Sequence, residues 1–217
     1  MDWSLNEIEG LARKAARGAG YGWGHAEEAG KATRWVCAAG WPGAELLAGL
    51  LTTLDGVPYD DIRPASFDGA WQASGGLLCP LITGAAICDL APQWATGDTL
   101  CIGPVAAPLL LVPYMVWSAD RTGVPMTVTW QGATITRRDE KTVIELSDVA
   151  ILNLPRVERA SLAPAEQAKG TPLLRAYRAH VGAQASETLQ ALAQRTYAPE
   201  TEESRRAGAG AGLTDND

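Results

Sequence analysis

Residues 126–146 read MTVTWQGATITRRDEKTVIEL, and this stretch decides the fold class. Met126, Val128 and Trp130 alternate with threonine, the period of a half-buried strand. Gln131-Gly132 turns the chain, residues 133–137 resume the alternation, and Arg138-Asp139-Glu140-Lys141 forms a second turn. Residues 142–146 complete a three-stranded meander. On its N-terminal side, Gly103-Pro104 opens an apolar segment, 105–119, that reads as a buried helix interrupted by Pro108 and Pro113. Residues 99–102 read as a strand. The short apolar runs 77–82 and 85–90 suit buried strands, with helix as the alternative. After the meander, 149–154 suits a further strand, and 172–182 and 184–196 carry apolar residues at helical spacing.

The front of the chain is helical. Ser4 and Glu7 have the spacing of a capping box, and Leu5, Ile8, Leu11, Ala12 and Ala15 follow at helical intervals. Gly18 to Gly20 ends this helix, and the turn Gly20-Tyr21-Gly22-Trp23-Gly24 leads into a second, over 25–39. A third runs over 43–54 after Pro42. Residues 55–76 are punctuated by glycine and proline and read as irregular. The expectation is one α+β domain over 1–217, with N-terminal helices, central mostly antiparallel strands with a buried helix, and C-terminal helices.

Composition excludes several classes. The 217 residues carry a formal charge of −7, which argues against the basic footprint of a nucleic-acid binder and against an anionic membrane surface. The longest apolar run, 105–116, is well short of the roughly 20 residues of a membrane span. The opening MDWSLNEIEG lacks the basic and apolar regions of a secretory signal, so a soluble, cytoplasmic protein is expected. Cys37, Cys79, Cys88 and Cys101 fit no zinc spacing and read as buried free thiols. With only His25 and His180, a multi-histidine metal site is impossible. No phosphate loop or dinucleotide fingerprint is present, and the sequence names no cofactor.

Two regions could carry chemistry. In Trp23-Gly24-His25-Ala26-Glu27-Glu28, the acids in a first helical turn complement the helix dipole. Alternatively Glu27 or Glu28 acts as a general base or binds a ligand amine, walled by Trp23 and Gly24. Lys31 and Arg34 stand one turn further on, where ion pairing could consume the acids. The second region is GAGAGLTDND at 208–217. Gly208, Gly210 and Gly212 let a backbone approach a ligand closely, and Asp215 and Asp217 with a carboxy terminus could hold a cation or a substrate amine. A frayed tail is the alternative. Gly103 offers an anion site if a helix starts there. Cys79 follows a glycine turn, as a nucleophile could, but leucines and an isoleucine around it point to burial and low reactivity.

SLNEIEGLARKAARGAGYGWGHAEEAGKATRWV at 4–36, GPVAAPLLLVPY at 103–114 and the closing GAGAGLTDND together resemble a bacterial family of unassigned reaction, domain of unknown function 3726. The resemblance implies an ordered role for the tail, at Gly208, Gly210, Gly212, Leu213, Thr214, Asp215 and Asp217. At the front it falls on Trp23, Gly24, Glu27, Glu28, Gly30 and Arg34. The layout of the first two helices is also similar to the start of the malate/L-lactate dehydrogenase type-2 family. Where that family has Ser-His-Gly, this chain has Gly40-Trp41-Pro42-Gly43, so the similarity supports only a helical N-terminus.

Two functions follow as expectations. One is a small-molecule catabolic enzyme using acid/base or hydrolytic chemistry, with Glu27 or Glu28 as base and a ligand site formed by Trp23, Gly24, Arg34, Gly103, Gly208, Gly210, Gly212, Thr214, Asp215 and Asp217. The other is a non-catalytic accessory subunit or ligand-binding protein, suggested by eight tryptophans against one phenylalanine.

Overall fold

The structure is a computed structural model and describes residues 2–94 and 97–197. It is an α+β fold. A short strand β1 (Asp2–Ser4) runs directly into α1 (Leu5–Gly18), followed by α2 (Trp23–Ala38), α3 (Gly43–Thr53), the single turn α4 (Tyr59–Ile62), α5 (Pro80–Asp89) and the turn α6 (Ala91–Trp94). Strands β2 (Leu100–Ile102) and β3 (Val105–Ala106) lead through a 3-10 turn at Pro108–Leu111 into α7 (Val112–Thr122). The meander is β4 (Met126–Trp130), β5 (Ala133–Arg138) and β6 (Lys141–Leu146). Short strands β7 (Arg156–Val157), β8 (Ala160–Pro164), β9 (Thr171–Pro172) and β10 (Arg178–His180) precede α8 (Ala183–Gln194).

The largest sheet has six strands in the order β2-β8-β4-β5-β6-β9, every neighbour antiparallel. Register places Leu100 opposite Leu162, Leu162 opposite Val128, Val128 opposite Ile135 and Ile135 opposite Ile144. This apolar row crosses the sheet on one face, and α7 packs on β4 and β5. Thr127, Thr129, Thr134 and Thr136 take the alternate positions, as the pleat requires.

The helices pack on small residues. Ala12, Ala15 and Ala16 of α1 and Ala26, Ala29 and Ala32 of α2 are all fully buried. With so little side chain between them the two backbones approach closely. A Cβ added at Gly30 would lie 2.9 Å from the Glu9 carbonyl oxygen. The capping box is present: the Ser4 hydroxyl accepts from the Glu7 N–H at 3.3 Å, and the Ser4 N–H donates to Glu7 Oε2 at 2.8 Å. On the far side of α1 lies α8, fixed by Arg195, whose Nη1 reaches both oxygens of Asp55 at 2.7 and 2.9 Å.

Four expectations are corrected. The runs 77–82 and 85–90 are not two strands but largely one helix, α5, with Pro80 at its start. The segment 105–119 is helical only from Val112 onward, after β3 and the 3-10 turn. Residues 149–153 form a 3-10 turn rather than a strand. No helix forms over 172–182: β9 pairs with β6, β10 pairs with β1, and Leu174 and Tyr177 point to solvent. Tertiary pairing outweighs a coincidental apolar spacing there. Among the described residues no helix is long and apolar enough to cross a membrane.

Candidate functional site

The reversal between α1 and α2 builds the site. Gly20 takes φ +93°, a conformation that L side chains rarely adopt, and so lets the chain turn. Tyr21 then drops inward, its N–H donating to the Ala16 carbonyl at 3.1 Å. Gly22 is the N-cap of α2 and has no side chain to satisfy the first-turn amides. Helix α2 therefore starts at Trp23 rather than at 25. Glu27 and Glu28 fall in its second turn, where the dipole favours them less.

The two glutamates diverge. Glu27 accepts from Arg13 Nη1 at 3.1 Å, and Arg34 Nη1 donates to Glu9 Oε2 at 2.7 Å. Both pairs stitch α1 to α2 on either side of Gly30, so Glu27 and Arg34 belong to that seam. Such half-exposed pairs each contribute about 0–1 kcal/mol. Glu28 faces the other way. It meets Lys31 at 3.5 Å, and its charge acts on His25, Cys88 and Tyr114.

Around Glu28 the groups have shifted proton affinities. His25 is half-buried and tilts against the Tyr59 ring at 5.6 Å. Burial holds its imidazole below the usual range, with Glu28 and Asp89 acting in the opposite direction. The Tyr21 phenol lies 3.3 Å from Cys79 Sγ, and burial, then the nearby thiol, push it far above its ordinary value. Tyr114 is fully buried, with no hydrogen-bond partner for its phenol among the described residues. Burial first, then Glu28, Cys79 and Cys88, raise it. Both phenols thus stay protonated near neutral pH. An adjoining cavity of about 80 Å³ is lined by Gly20, Tyr21, Gly22, His25, Tyr59 and Ile82.

The remaining expected residues lie apart from this cluster. Trp23 points outward, 70% exposed, with the Arg17 guanidinium 4.5 Å from its ring centre. Gly24 is exposed, with open space where a Cβ would stand. Gly103 opens no helix. Its N–H donates to the Trp71 carbonyl at 3.1 Å, and an added Cβ would lie 2.5 Å from the Glu158 carbonyl oxygen, so it serves a close backbone passage. Gly208, Gly210, Gly212, Thr214, Asp215 and Asp217 lie outside the described residues. Among the described residues no three His, Cys, Asp or Glu side chains gather as metal ligands. Tyr21, Tyr59 and Tyr114 escaped the sequence reading. Only Tyr21, set between glycines, carried a local signal.

The thiols give a first prediction. Cys79 is fully buried and raised by that burial, against the hydrogen bond it shares with Tyr21. Burial likewise pushes Cys37 up to about 11. Alkylation of the native protein at about pH 8 should modify half-buried Cys101 first, reach Cys88 more slowly because burial raises that thiol as well, and spare Cys37 and Cys79 until the chain unfolds. Peptide mass mapping checks this; native labelling of Cys79 would disprove the buried dyad with Tyr21.

His25 gives a second. The folded state resists protonating it, whereas the unfolded chain takes the proton near the usual value of about 6.5. Its contribution to stability is complete above that pH and is lost as the pH falls toward the lowered folded value. Urea titrations should therefore show stability declining below about pH 6.5, with the decline flattened in His25→Gln. An unchanged slope in the variant would assign the decline to other groups.

No curated protein matches the chain. The family model described as "Protein of unknown function (DUF3726)" matches residues 3–79, a stretch that takes in Tyr21, Trp23, His25, Glu28, Tyr59 and Cys79, so the part of the chain that builds most of this cluster is similar to that family.

Proposed function

We propose that the protein is an enzyme acting on a small molecule by acid/base or hydrolytic chemistry, with Glu28 as the general base at the N-terminal end of α2. The observation that carries this reading is the direction of Glu28. Its charge acts on a neutral imidazole and on the protonated Tyr114 phenol, while Glu27 is engaged with Arg13. Titratable groups with displaced proton affinities beside a cavity are what such chemistry uses. Glu28 takes a proton from the substrate or from an attacking water, and the Tyr21 phenol at the cavity wall, kept protonated by burial, donates a hydrogen bond to the charge that develops.

The glycine-rich tail is proposed to complete the site. The last described residue, Tyr197, accepts from Lys14 Nζ at 3.3 Å, and Lys14 stands one turn before Arg17, which covers Trp23. Twenty residues follow Tyr197, with a reach of up to about 66 Å, ample for Asp215 and Asp217 to arrive at this turn. Four unpaired thiols support a reducing, cytoplasmic setting. The second reading, a non-catalytic ligand-binding or accessory protein, is favoured by the exposure of Trp23, Leu174 and Tyr177.

A thermal-shift screen of small metabolites and divalent metals identifies what stabilises the fold. Turnover of the stabilising compound should fall about 10²–10⁴-fold in Glu28→Gln, with an unchanged melting temperature, and stay near wild type in Glu27→Gln. Deletion of 208–217 should abolish the ligand response. Full turnover in Glu28→Gln removes the base; binding without turnover supports the second reading.

A further inference from the structure

At the other end of α2 lies a cavity of about 250 Å³ that the proposed reaction does not use. Trp35 of α2 and Val116 and Trp117 of α7 form its apolar walls. A strap over 171–176 crosses it, tied on one side to the sheet, where Leu173 N–H donates to the Thr142 carbonyl at 2.8 Å. On the other side Ala176 N–H donates to the Ala38 carbonyl at 2.7 Å. The strap carries Arg175, whose guanidinium lies 5.6 Å from the Trp35 ring centre.

Opposite stands the β5–β6 hairpin. Its central residues Asp139 and Glu140 both have positive φ, +48° and +59°, where glycine or asparagine is the usual occupant. Each such residue carries strain of order 1–3 kcal/mol and persists only where its surroundings hold it. Arg137 does the holding. Its Nη1 donates to the Glu140 carbonyl, and its Nε and Nη2 grip both oxygens of Asp120 at 2.7 and 3.1 Å. The hairpin thereby presents Lys141 to the cavity.

Three cations and two carboxylates line the space, in a protein of net charge −7. Asp120 is consumed by Arg137, leaving Glu140 as the other acid. Arg175 and Lys141 have no hydrogen-bond or ion-pair partner for their side chains among the described residues. We infer that this cavity is a binding site for a small aromatic carboxylate. The ring would stack on Trp35 and Trp117, and the carboxylate would take the fork of Arg175, with Lys141 beside it. A volume below the about 300–1,000 Å³ of sites for larger ligands limits the guest to a single ring.

Calorimetric titration of the full chain with benzoate tests this, with benzamide and acetate as neutral and ringless comparators. Benzoate should bind saturably below about 10 mM, and each comparator at least about tenfold more weakly. Arg175→Met should weaken benzoate at least about tenfold and Lys141→Gln by less, both with unchanged melting temperatures because these side chains are exposed. Glu28→Gln should bind benzoate like wild type, which separates this site from the proposed reaction. Absence of saturable binding, equal affinity for benzamide, or full affinity in Arg175→Met overturns the proposal.

Discussion

Trp71→Ala is expected to lower the free energy of unfolding by about 3–5 kcal/mol. Trp71 is fully buried, with its ring edge-to-face against Trp94 at 5.4 Å and Phe67 at 5.1 Å. Its backbone joins the strand beyond: the N–H donates to the Cys101 carbonyl at 2.8 Å, and its carbonyl accepts from Gly103 at 3.1 Å. Truncation removes a fully buried tryptophan side chain and leaves a cavity that backbone bonds on both sides prevent from collapsing. The loss is a large part of a typical total of about 5–15 kcal/mol. Urea unfolding should show a lower midpoint with a nearly constant slope. A loss below about 1 kcal/mol would mean that the stretch around Trp71 is not docked as described.

Gly84→Ala should also destabilise, by up to about 2 kcal/mol net, although helix propensity alone argues the opposite. Glycine to alanine inside a helix ordinarily gains about 1 kcal/mol. Here the new Cβ would stand 2.2 Å from the Tyr114 ring, with further ring atoms at 2.4 and 2.6 Å. Tyr114 is itself fully enclosed and leans on Trp117 at 5.1 Å, so the ring cannot withdraw. Overpacking of about 1–3 kcal/mol or more then outweighs the propensity gain. Pairing Gly84→Ala with Tyr114→Leu should recover about 1 kcal/mol or more relative to additivity. A stabilised single variant would show that α5 and α7 are further apart than described.

Local signals in the sequence were reliable where the cause was local. The Ser4–Glu7 capping box and the alternation of 126–146 each depend on neighbours in the chain, and both stand in the structure. Strands β1 and β10 were not legible. Each has three residues, and they pair across the whole chain, Asp2 opposite His180. The helical spacing of 172–182 was overruled by the same pairing. The site shows a similar division. Glu28 stood out as an acid near a helix start, but its direction depends on where α5 and α7 lie. Tyr114, 86 positions further along, could be linked to it only by the fold.

The stretch similar to a known family stops at Cys79, yet much of what holds it in place comes later in the chain. Helix α1 rests on α8, β1 pairs with β10, and Tyr114 fills the notch at Gly84 beneath α2. Excised, residues 3–79 would bare apolar and backbone groups that nothing within them can cover. In this chain that stretch is therefore one part of a shared interior rather than a portable module.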